Sequence, residues 1–278
     1  MLQKYSAQNI SLTYRRDEHP VPEQFSMHTH QAVELYCFLE GKAVFHIEGT
    51  EYPMQPGDIL LIRPNEAHYI TVDAAIPYGR LHFIFSPELL NALDPEQTLM
   101  RPFFQRRAGR NNLYRADARY HSGTYINNIL GAQNNHVTIC ANLALLLQEL
   151  SDRFSRSPEE NTEPDTVEYH ILRYINKHLE DELSLEALCQ RFYISRAQLC
   201  RRFKRATGTT PGQYIAVKRL IAARQQILQG EKPTEVYARF GYRDYSTFYR
   251  AYRRQFGFSP KDRFAAFGDL DADRVEFV

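Results

Sequence analysis

Three histidines and one glutamate in the first quarter of the chain are residue types that bind metals or polar ligands. His28 and His30 are separated by one residue, Glu34 follows after three more, and His68 comes later. Imidazole and carboxylate groups suit iron, manganese, nickel or zinc, and they can equally hydrogen-bond a small polar molecule. The four side chains therefore predict either a divalent metal site or a pocket for a small molecule.

A second set of chemical groups is cationic and lies in a duplicated stretch from Leu185 to Pro260. Five positions of the first copy return 49 residues later as the same or a similar residue: Ser195 as Asp244, Leu199 as Phe248, Phe203 as Tyr252, Gly208 as Gly257, and Pro211 as Pro260. This repetition indicates that a unit of two short helices and a tight turn has been duplicated.

Each copy is predicted to fold as a helix, a turn and a second helix. The first helix of the first copy has one apolar stripe at helical spacing, formed by Leu185, Leu188 and Phe192. Ser195 is suited to cap the second helix and Gly208 to end it. In the second copy, Gly241 can supply a left-handed turn and Asp244 the cap. Two helices joined in this way are typical of DNA recognition, with the second helix in the major groove.

The charge distribution favours DNA over a purely structural bundle of two helical hairpins. Residues 166–264 carry 19 Lys and Arg against 9 Asp and Glu, a net charge of +10, whereas residues 1–165 carry 14 against 20, a net charge of −6. A stabilising bundle more often mixes signs along its outer faces, but phosphate binding needs one sign. Only the repeated region is therefore suited to approach a polyanion.

The region from Tyr169 to Phe267 resembles the AraC/XylS family of bacterial transcription regulators. The resemblance rests on one run in each copy: Ser195, Leu199, Phe203, Lys204 and Gly208, then Phe240, Gly241, Asp244, Phe248, Gly257, Ser259 and Pro260. It implies binding to promoter DNA, with RNA polymerase as a further partner.

The faces opposite the apolar anchors, together with the pattern of that family, select the DNA contacts. The residues expected to reach base edges are Ala197, Cys200, Arg201, Ser246, Tyr249 and Arg250. The residues expected to hold phosphates are Arg196, Lys204, Arg205, Arg253 and Arg254. Arg201 and Arg250 can each pair with O6 and N7 of a guanine, and Ala197 can touch a thymine methyl group.

The segment from Phe25 to Phe85 is predicted to be an antiparallel barrel or jelly roll. Apolar residues recur with a period of two, and turn signals intervene at short intervals, among them Glu48-Gly49 and Arg63-Pro64-Asn65. The segment also resembles a cupin, because Gly41 follows Glu34 after six residues and a second element runs from Gly57 to His68. It departs from that pattern where Asn65 and Glu66 replace the usual glycine neighbourhood.

Regulators with a barrel of this kind often use such residues to orient a ligand or to hold strands together. By this resemblance, His28, His30, Glu34 and His68 are expected to form the pocket of a small effector, such as a sugar, without metal or other cofactor. A barrel joined to a DNA-binding unit indicates a ligand-responsive regulator rather than an enzyme. The alternatives are a metal-dependent cupin enzyme fused to a DNA-binding module and a constitutive DNA binder with a structural barrel.

The expected fold class is therefore α+β with two domains, an N-terminal antiparallel barrel with helices and a C-terminal all-α domain of two helix-turn-helix units. The boundaries are residues 1–154 for the effector domain, 155–166 for a linker, 167–267 for the DNA-binding domain and 268–278 for an acidic tail. Residues 1–24 are expected to be an extended arm, and the four arginines between 101 and 110 solvated surface. Helices at 120–133 and 137–154 are candidates for a homodimer contact.

Cysteine use and hydropathy favour a cytoplasmic protein. Cys37, Cys140, Cys189 and Cys200 form no CxxC pair and have no histidine at a zinc-finger spacing, so reduced thiols are expected. No basic stretch followed by an apolar run begins the chain, and no segment approaches 18 apolar residues, so neither export nor membrane insertion is predicted.

Overall fold

Two antiparallel sheets lie face to face in the N-terminal domain. The computed structural model describes residues 2–156, 166–262 and 275–277. The first sheet has the strand order β1-β2-β9-β4-β7-β10, and the second has the order β11-β3-β8-β5-β6. The strands are β1 Leu2–Ala7, β2 Ile10–Asp17, β3 His28–Thr29, β4 Val33–Glu40, β5 Ala43–Ile47, β6 Thr50–Pro53, β7 Ile59–Ile62, β8 His68–Val72, β9 Tyr78–Phe85, β10 Leu113–Tyr114 and β11 Val275–Glu276.

Both faces of the six-stranded sheet are buried, as β4 illustrates. Val33, Leu35 and Cys37 pack in a cluster with the helices that follow the barrel. Tyr36 and Phe38 instead pack in the cluster between the two sheets. Since successive side chains of a strand point to opposite faces, one strand contributes to two apolar cores. The predicted barrel with its period of two is confirmed.

The expected N-terminal arm is instead part of the first sheet. β1 pairs with β2, and β2 pairs with β9 along its whole length. Ile10 and Leu12 are buried in the same cluster as β4. These two apolar residues at alternate positions account for the difference, because they bury the strand despite the polar, proline-containing stretch that follows it.

Three helices cover the outer face of this sheet: α1 Arg101–Phe104, α2 Ser122–Leu130 and α3 His136–Arg156. Before them, Ser86 caps a short 3-10 turn at Pro87–Leu90, which the Ser-Pro sequence predicts. Leu143, Leu146, Leu147 and Leu150 of α3 are buried against the sheet. The leucine stripe of α3 is therefore core of the N-terminal domain.

Between residues 166 and 262, the described C-terminal domain has six helices: α4 Val167–Lys177, α5 Leu185–Phe192, α6 Arg196–Thr207, α7 Pro211–Leu228, α8 Pro233–Arg239 and α9 Tyr245–Phe256. The Ser195 hydroxyl accepts a hydrogen bond from Gln198 N–H, and the Asp244 carboxylate accepts one from Thr247 N–H. Gly208 follows α6 with φ +73°. The predicted caps and helix ends are thus present.

Most of the predicted linker, residues 157–165, and residues 263–274 lie outside the described part of the chain.

The two copies differ at the turn between their helices. Gly241 has φ +79°, and Tyr193, at the equivalent position after Phe192, has φ +54°. A side chain with a Cβ is strained in this left-handed region. Tyr193 is 94% exposed, so packing does not compensate the strain.

Replacing Tyr193 with Gly is therefore expected to raise the free energy of unfolding by up to about 1 kcal/mol, because Gly adopts positive φ without steric cost. The denaturant midpoint should rise with an unchanged m-value. Tyr193→Ala, which keeps a Cβ, is the control and should show no gain. Equal midpoints for the Gly and Ala variants would contradict the strain argument.

Arg106 is buried, not solvated as expected. Its guanidinium donates to both oxygens of Glu66, at 2.7 and 2.8 Å, and to the carbonyls of Leu61 and Pro102, each at 2.9 Å. Burial acts to raise the pKa of Glu66, but the charge and hydrogen bonds of Arg106 outweigh it and lower the pKa to about 2. The pair joins the segment after α1 to the turn before β8.

Arg106→Met is expected to reduce the free energy of unfolding by about 3–5 kcal/mol, because it leaves the Glu66 carboxylate buried without its cation. Chemical denaturation at pH 7 would measure the loss. The matched control is Arg107→Met at the neighbouring exposed position, where a change within about 0.5 kcal/mol is expected. Similar losses in both variants would show that the Glu66 pair is not the cause.

Candidate functional site

The four predicted site residues of the barrel are brought together at one end of its interior. His28 of β3 is the register partner of His68, the first residue of β8. His30 lies just after β3, and Glu34 lies near the start of β4. Asn65 takes φ +64° in the turn before β8, which asparagine tolerates better than most residues. The departure from the cupin pattern at this turn therefore does not move His68 away from the other three.

A single carboxylate lies at the centre of this cluster. Glu34 Oε2 is 3.3 Å from His30 Nε2 and 3.2 Å from His68 Nε2. Its other oxygen, Oε1, is 3.5 Å from His82 Nδ1. Burial acts to raise the pKa of Glu34, but the three neighbouring imidazoles outweigh it and hold the pKa well below its ordinary value. Glu34 is therefore an anion inside the barrel.

His82 is a member of the cluster that the sequence analysis missed. It lies on β9, where its register partner is Tyr36 of β4. The signal that could have found His82 is the alternation of side chains along β9. Leu81 and Phe83 pack in the core under the helices, so His82 between them points into the barrel interior. The motif spacing that selects the other four residues does not predict His82.

The donor set fits a divalent metal ion. Ring nitrogens of His28, His30 and His68 lie within 4.8 Å of one another, and Glu34 contacts two of the rings. The Nδ1 atoms of His28 and His68 each lie 2.8 Å from a backbone carbonyl, of Ser26 and Glu66 respectively. Such a contact fixes a ring and directs its Nε2 atom, as in many metal sites. The same orientation presents a carboxylate and imidazoles to a polar organic ligand.

The predicted DNA contacts lie on the outer faces of α6 and α9. Leu199 and Phe203 anchor α6 in one apolar cluster, and Phe248 and Tyr252 anchor α9 in another. The exposed members of the predicted set are Arg196, Ala197, Arg201, Lys204, Arg205, Ser246, Arg250, Arg253 and Arg254. Cys200 and Tyr249 are half-buried. The folded chain therefore presents one cationic face on each recognition helix.

Arg202 is half-buried, unlike the other cations of α6. Its Nε donates to Glu168 Oε1 at 2.7 Å, so the side chain points back to α4. The side-chain hydrogen bond from Arg202 lowers the pKa of Glu168. Arg202 thus ties the recognition helix to the rest of its domain, while its neighbour Arg201 remains exposed.

Comparison with known proteins identifies both domains. The sequence profile of the AraC-like ligand binding domain matches residues 12–166, more than half of the chain, and that of a helix-turn-helix domain matches residues 188–265. The chain belongs to the AraC family. The family resemblance of the DNA-binding region and the two-domain fold class are thereby confirmed.

Two sequence relatives, RhaS and LumQ, are similar to this chain along most of their length. The HTH-type transcriptional activator RhaS of Escherichia coli O139:H28 is 26% identical over 259 residues, covering 86% of this chain and 87% of RhaS. The probable transcriptional regulator LumQ of Photobacterium leiognathi is 26% identical over 241 residues, covering 84% and 89%. A crystal structure of ToxT from Vibrio cholerae covers 91% of this chain and 96% of its own, with a TM-score of 0.38 and 11% identity.

This member of the AraC family is thus a DNA-binding transcriptional regulator with an N-terminal domain that binds an effector. The predicted function is confirmed at this level. Among the described residues, no helix is long and apolar enough to cross a membrane.

Proposed function

We propose that the barrel binds a small polar effector through His28, His30, Glu34 and His68, with His82 as an additional contact. The observation that supports the proposal is the Glu34 carboxylate, which is buried beside an otherwise apolar cluster and faced by three imidazoles. Burying an ionised carboxylate is costly unless it is paired, so such a group inside a sheet sandwich indicates a site. Glu34 can accept hydrogen bonds from ligand hydroxyls while the imidazoles donate to ligand oxygens.

A sugar or a related hydroxyl-bearing metabolite matches this chemistry. The same residues would also hold a divalent metal, and the metal-dependent cupin enzyme remains the competing proposal. We favour the organic effector because a DNA-binding domain gives a sensing pocket its output, whereas a catalytic centre has no need of one. No catalytic role is assigned to any residue.

For the DNA-binding domain, we propose that Ala197, Cys200, Arg201, Ser246, Tyr249 and Arg250 face base edges, and that Arg196, Lys204, Arg205, Arg253 and Arg254 hold phosphates. Exposure of both cationic faces supports this assignment. Since RhaS is named as a transcriptional activator, we propose activation, with RNA polymerase as a further partner.

A homodimer through α2 and α3 is also proposed. The leucine stripe of α3 is used inside its own domain, but the opposite side of that helix carries Val137 and Leu145, which are 75% and 51% exposed. Large apolar residues left on a helix surface favour a contact with a second chain.

Arg201→Ala is expected to cost about 1–3 kcal/mol on cognate DNA and to relax sequence preference at one position, because it removes a bidentate contact with a base. Duplexes selected from a random library with the wild-type protein would supply the cognate site. Fluorescence anisotropy on selected and scrambled duplexes gives the two affinities.

Two variants on the same helix serve as controls for Arg201→Ala. Lys204→Ala is expected to weaken both duplexes alike and to reduce the salt dependence of binding by about one phosphate contact. Arg202→Ala removes a cation that is engaged with Glu168 and should leave base preference unchanged. Equal losses on selected and scrambled DNA for Arg201→Ala would remove this residue from base recognition.

The effector proposal predicts that protein purified without chelator is free of stoichiometric metal, and that one member of a panel of sugars and sugar acids raises its melting temperature. At about 100 times its Kd, a ligand that binds only the folded state stabilises it by about 2.7 kcal/mol. Differential scanning fluorimetry measures the shift, and elemental analysis measures the metal. Glu34→Gln should abolish the shift.

The exposed His19 provides the matched control for a cluster histidine. His30→Ala should abolish the ligand-induced shift, while His19→Ala should retain it. Near-stoichiometric metal that survives dialysis, is lost in His30→Ala and stabilises the barrel would contradict the organic-effector proposal. Turnover of a small substrate by that metal-loaded protein would then support the enzyme.

A further inference from the structure

The strands that carry the histidine cluster also form part of the DNA-binding domain's core. Met27, just before His28, and Ala67 and Tyr69, on either side of His68, are buried in one apolar cluster with α4 to α7. Because neighbouring residues of a strand point to opposite faces, His28 and His68 turn toward the barrel interior while the residues beside them pack on the other domain. The Tyr69 hydroxyl also donates to the carbonyl of Arg205 in α6, at 3.3 Å.

Glu48, in the turn between β5 and β6, fastens the same edge of the barrel to the other domain. Its Oε1 accepts hydrogen bonds from Ala67 N–H and Lys218 Nζ, each at 2.7 Å. Its Oε2 accepts from the Tyr214 hydroxyl at 2.8 Å and Asn176 Nδ2 at 2.7 Å. The carboxylate is buried, so these contacts are protected from solvent and salt. Three of the four donors belong to α4 and α7.

The end of the chain adds a third connection. Val275 pairs with Thr29 and Glu276 with His28, so β11 extends the five-stranded sheet beside β3. Phe277 N–H then donates to the Met27 carbonyl at 3.0 Å. β3 has only two residues, and β11 lies on the side opposite its single register pair with β8. A displacement of β3 is therefore passed to β11.

Val275 and Phe277 are buried in the apolar cluster that holds the anchors of α6, and residues 275–277 also contact α7 and α9. The Phe277 ring stacks on Tyr214 of α7, with ring centroids 5.4 Å apart. The Phe277 carbonyl accepts from the Thr209 hydroxyl, which precedes α7, at 3.3 Å. Gln255 of α9, the recognition helix of the second unit, donates to the Glu276 carbonyl at 2.7 Å.

We propose that Glu48 and the C-terminal segment Val275–Phe277 couple the histidine cluster to both DNA-binding units, so that occupancy of the cluster alters how the units are placed. The inference rests on the proposed function of the cluster as the effector pocket. An effector that draws His28 and His68 together moves β3 and β8, and with them Met27, Tyr69 and β11.

The coupling acts on placement, because the docked arrangement leaves the recognition surfaces accessible. Arg201 of α6 and Arg250 of α9 are both exposed while Glu48 and Phe277 are engaged. A protein with two recognition helices binds tightly only when both fit successive grooves, so a small change in their relative position changes affinity. Coupling of this kind is reciprocal, and DNA must therefore perturb the cluster strands as the effector perturbs DNA binding.

Hydrogen exchange of the full-length protein, with and without saturating DNA selected from a random library, tests this reciprocity without an identified effector. Peptides covering Met27–His30 and Ala67–Val72 should change their exchange rates about fivefold or more on DNA binding, the lower end of typical allosteric coupling. In Phe277→Ala and in Glu48→Gln this change should be lost, while protection of α6 and α9 by DNA persists.

Matched controls separate coupling from general loosening. Glu51→Gln alters an exposed carboxylate on the same hairpin as Glu48, and Phe104→Ala removes an exposed phenylalanine; both should respond as wild type. Phe277→Leu, which keeps an apolar contact, should restore much of the response. If DNA alters exchange only in the C-terminal domain of the wild type, or if both Phe277→Ala and Glu48→Gln respond as wild type, the proposal is wrong. The effector screen is independent, since its failure would remove the pocket's assignment and not this result.

Discussion

A carboxylate that is buried on folding needs cations or N–H donors as partners. This requirement determines much of how the barrel is connected to the neighbouring segments. Three buried glutamates of the N-terminal domain each satisfy this requirement with a different partner. Glu34 takes imidazoles inside the barrel, Glu66 takes Arg106 from the segment after α1, and Glu48 takes Lys218 from the DNA-binding domain. A charge without its partner would cost several kcal/mol, so each pair fixes the relative position of two segments.

The alternation of side chains along a strand lets one strand contribute to two apolar cores. β4 contributes to the core under the helices and to the core between the sheets. At the other sheet, β3 and β8 place histidines toward the interior and Met27, Ala67 and Tyr69 against α4 to α7. The barrel is thus not an independent domain, because one face of its second sheet packs in the core of the domain that binds DNA. His28 and His68 of the proposed ligand site are therefore adjacent in the chain to residues that contact the other domain.

The duplicated DNA-binding units are similar in their caps and anchors and different in their surroundings. The first unit shares its core with the barrel and with residues 275–277, whereas the second has a core of its own around Phe248 and Tyr252. Gln255 and the half-buried Phe256 connect the second unit to this arrangement. The two recognition helices therefore differ in their contacts with the N-terminal domain, and residues 275–277 contact both units.

The sequence by itself determined the periodic and local features of this protein. The period of two in the barrel, the duplicated helices, the Ser195 and Asp244 caps and the glycines with positive φ depend on neighbouring residues, and the cationic faces follow from helical spacing. Only the tertiary structure decided which distant residues meet. His82 joins Glu34, Arg106 is buried, Ile10 and Leu12 draw the expected arm into a sheet, and the acidic tail supplies a strand to the barrel. These outcomes depend on pairing between residues far apart in the chain, where a charge or an apolar side chain is stabilised by partners that no local pattern specifies.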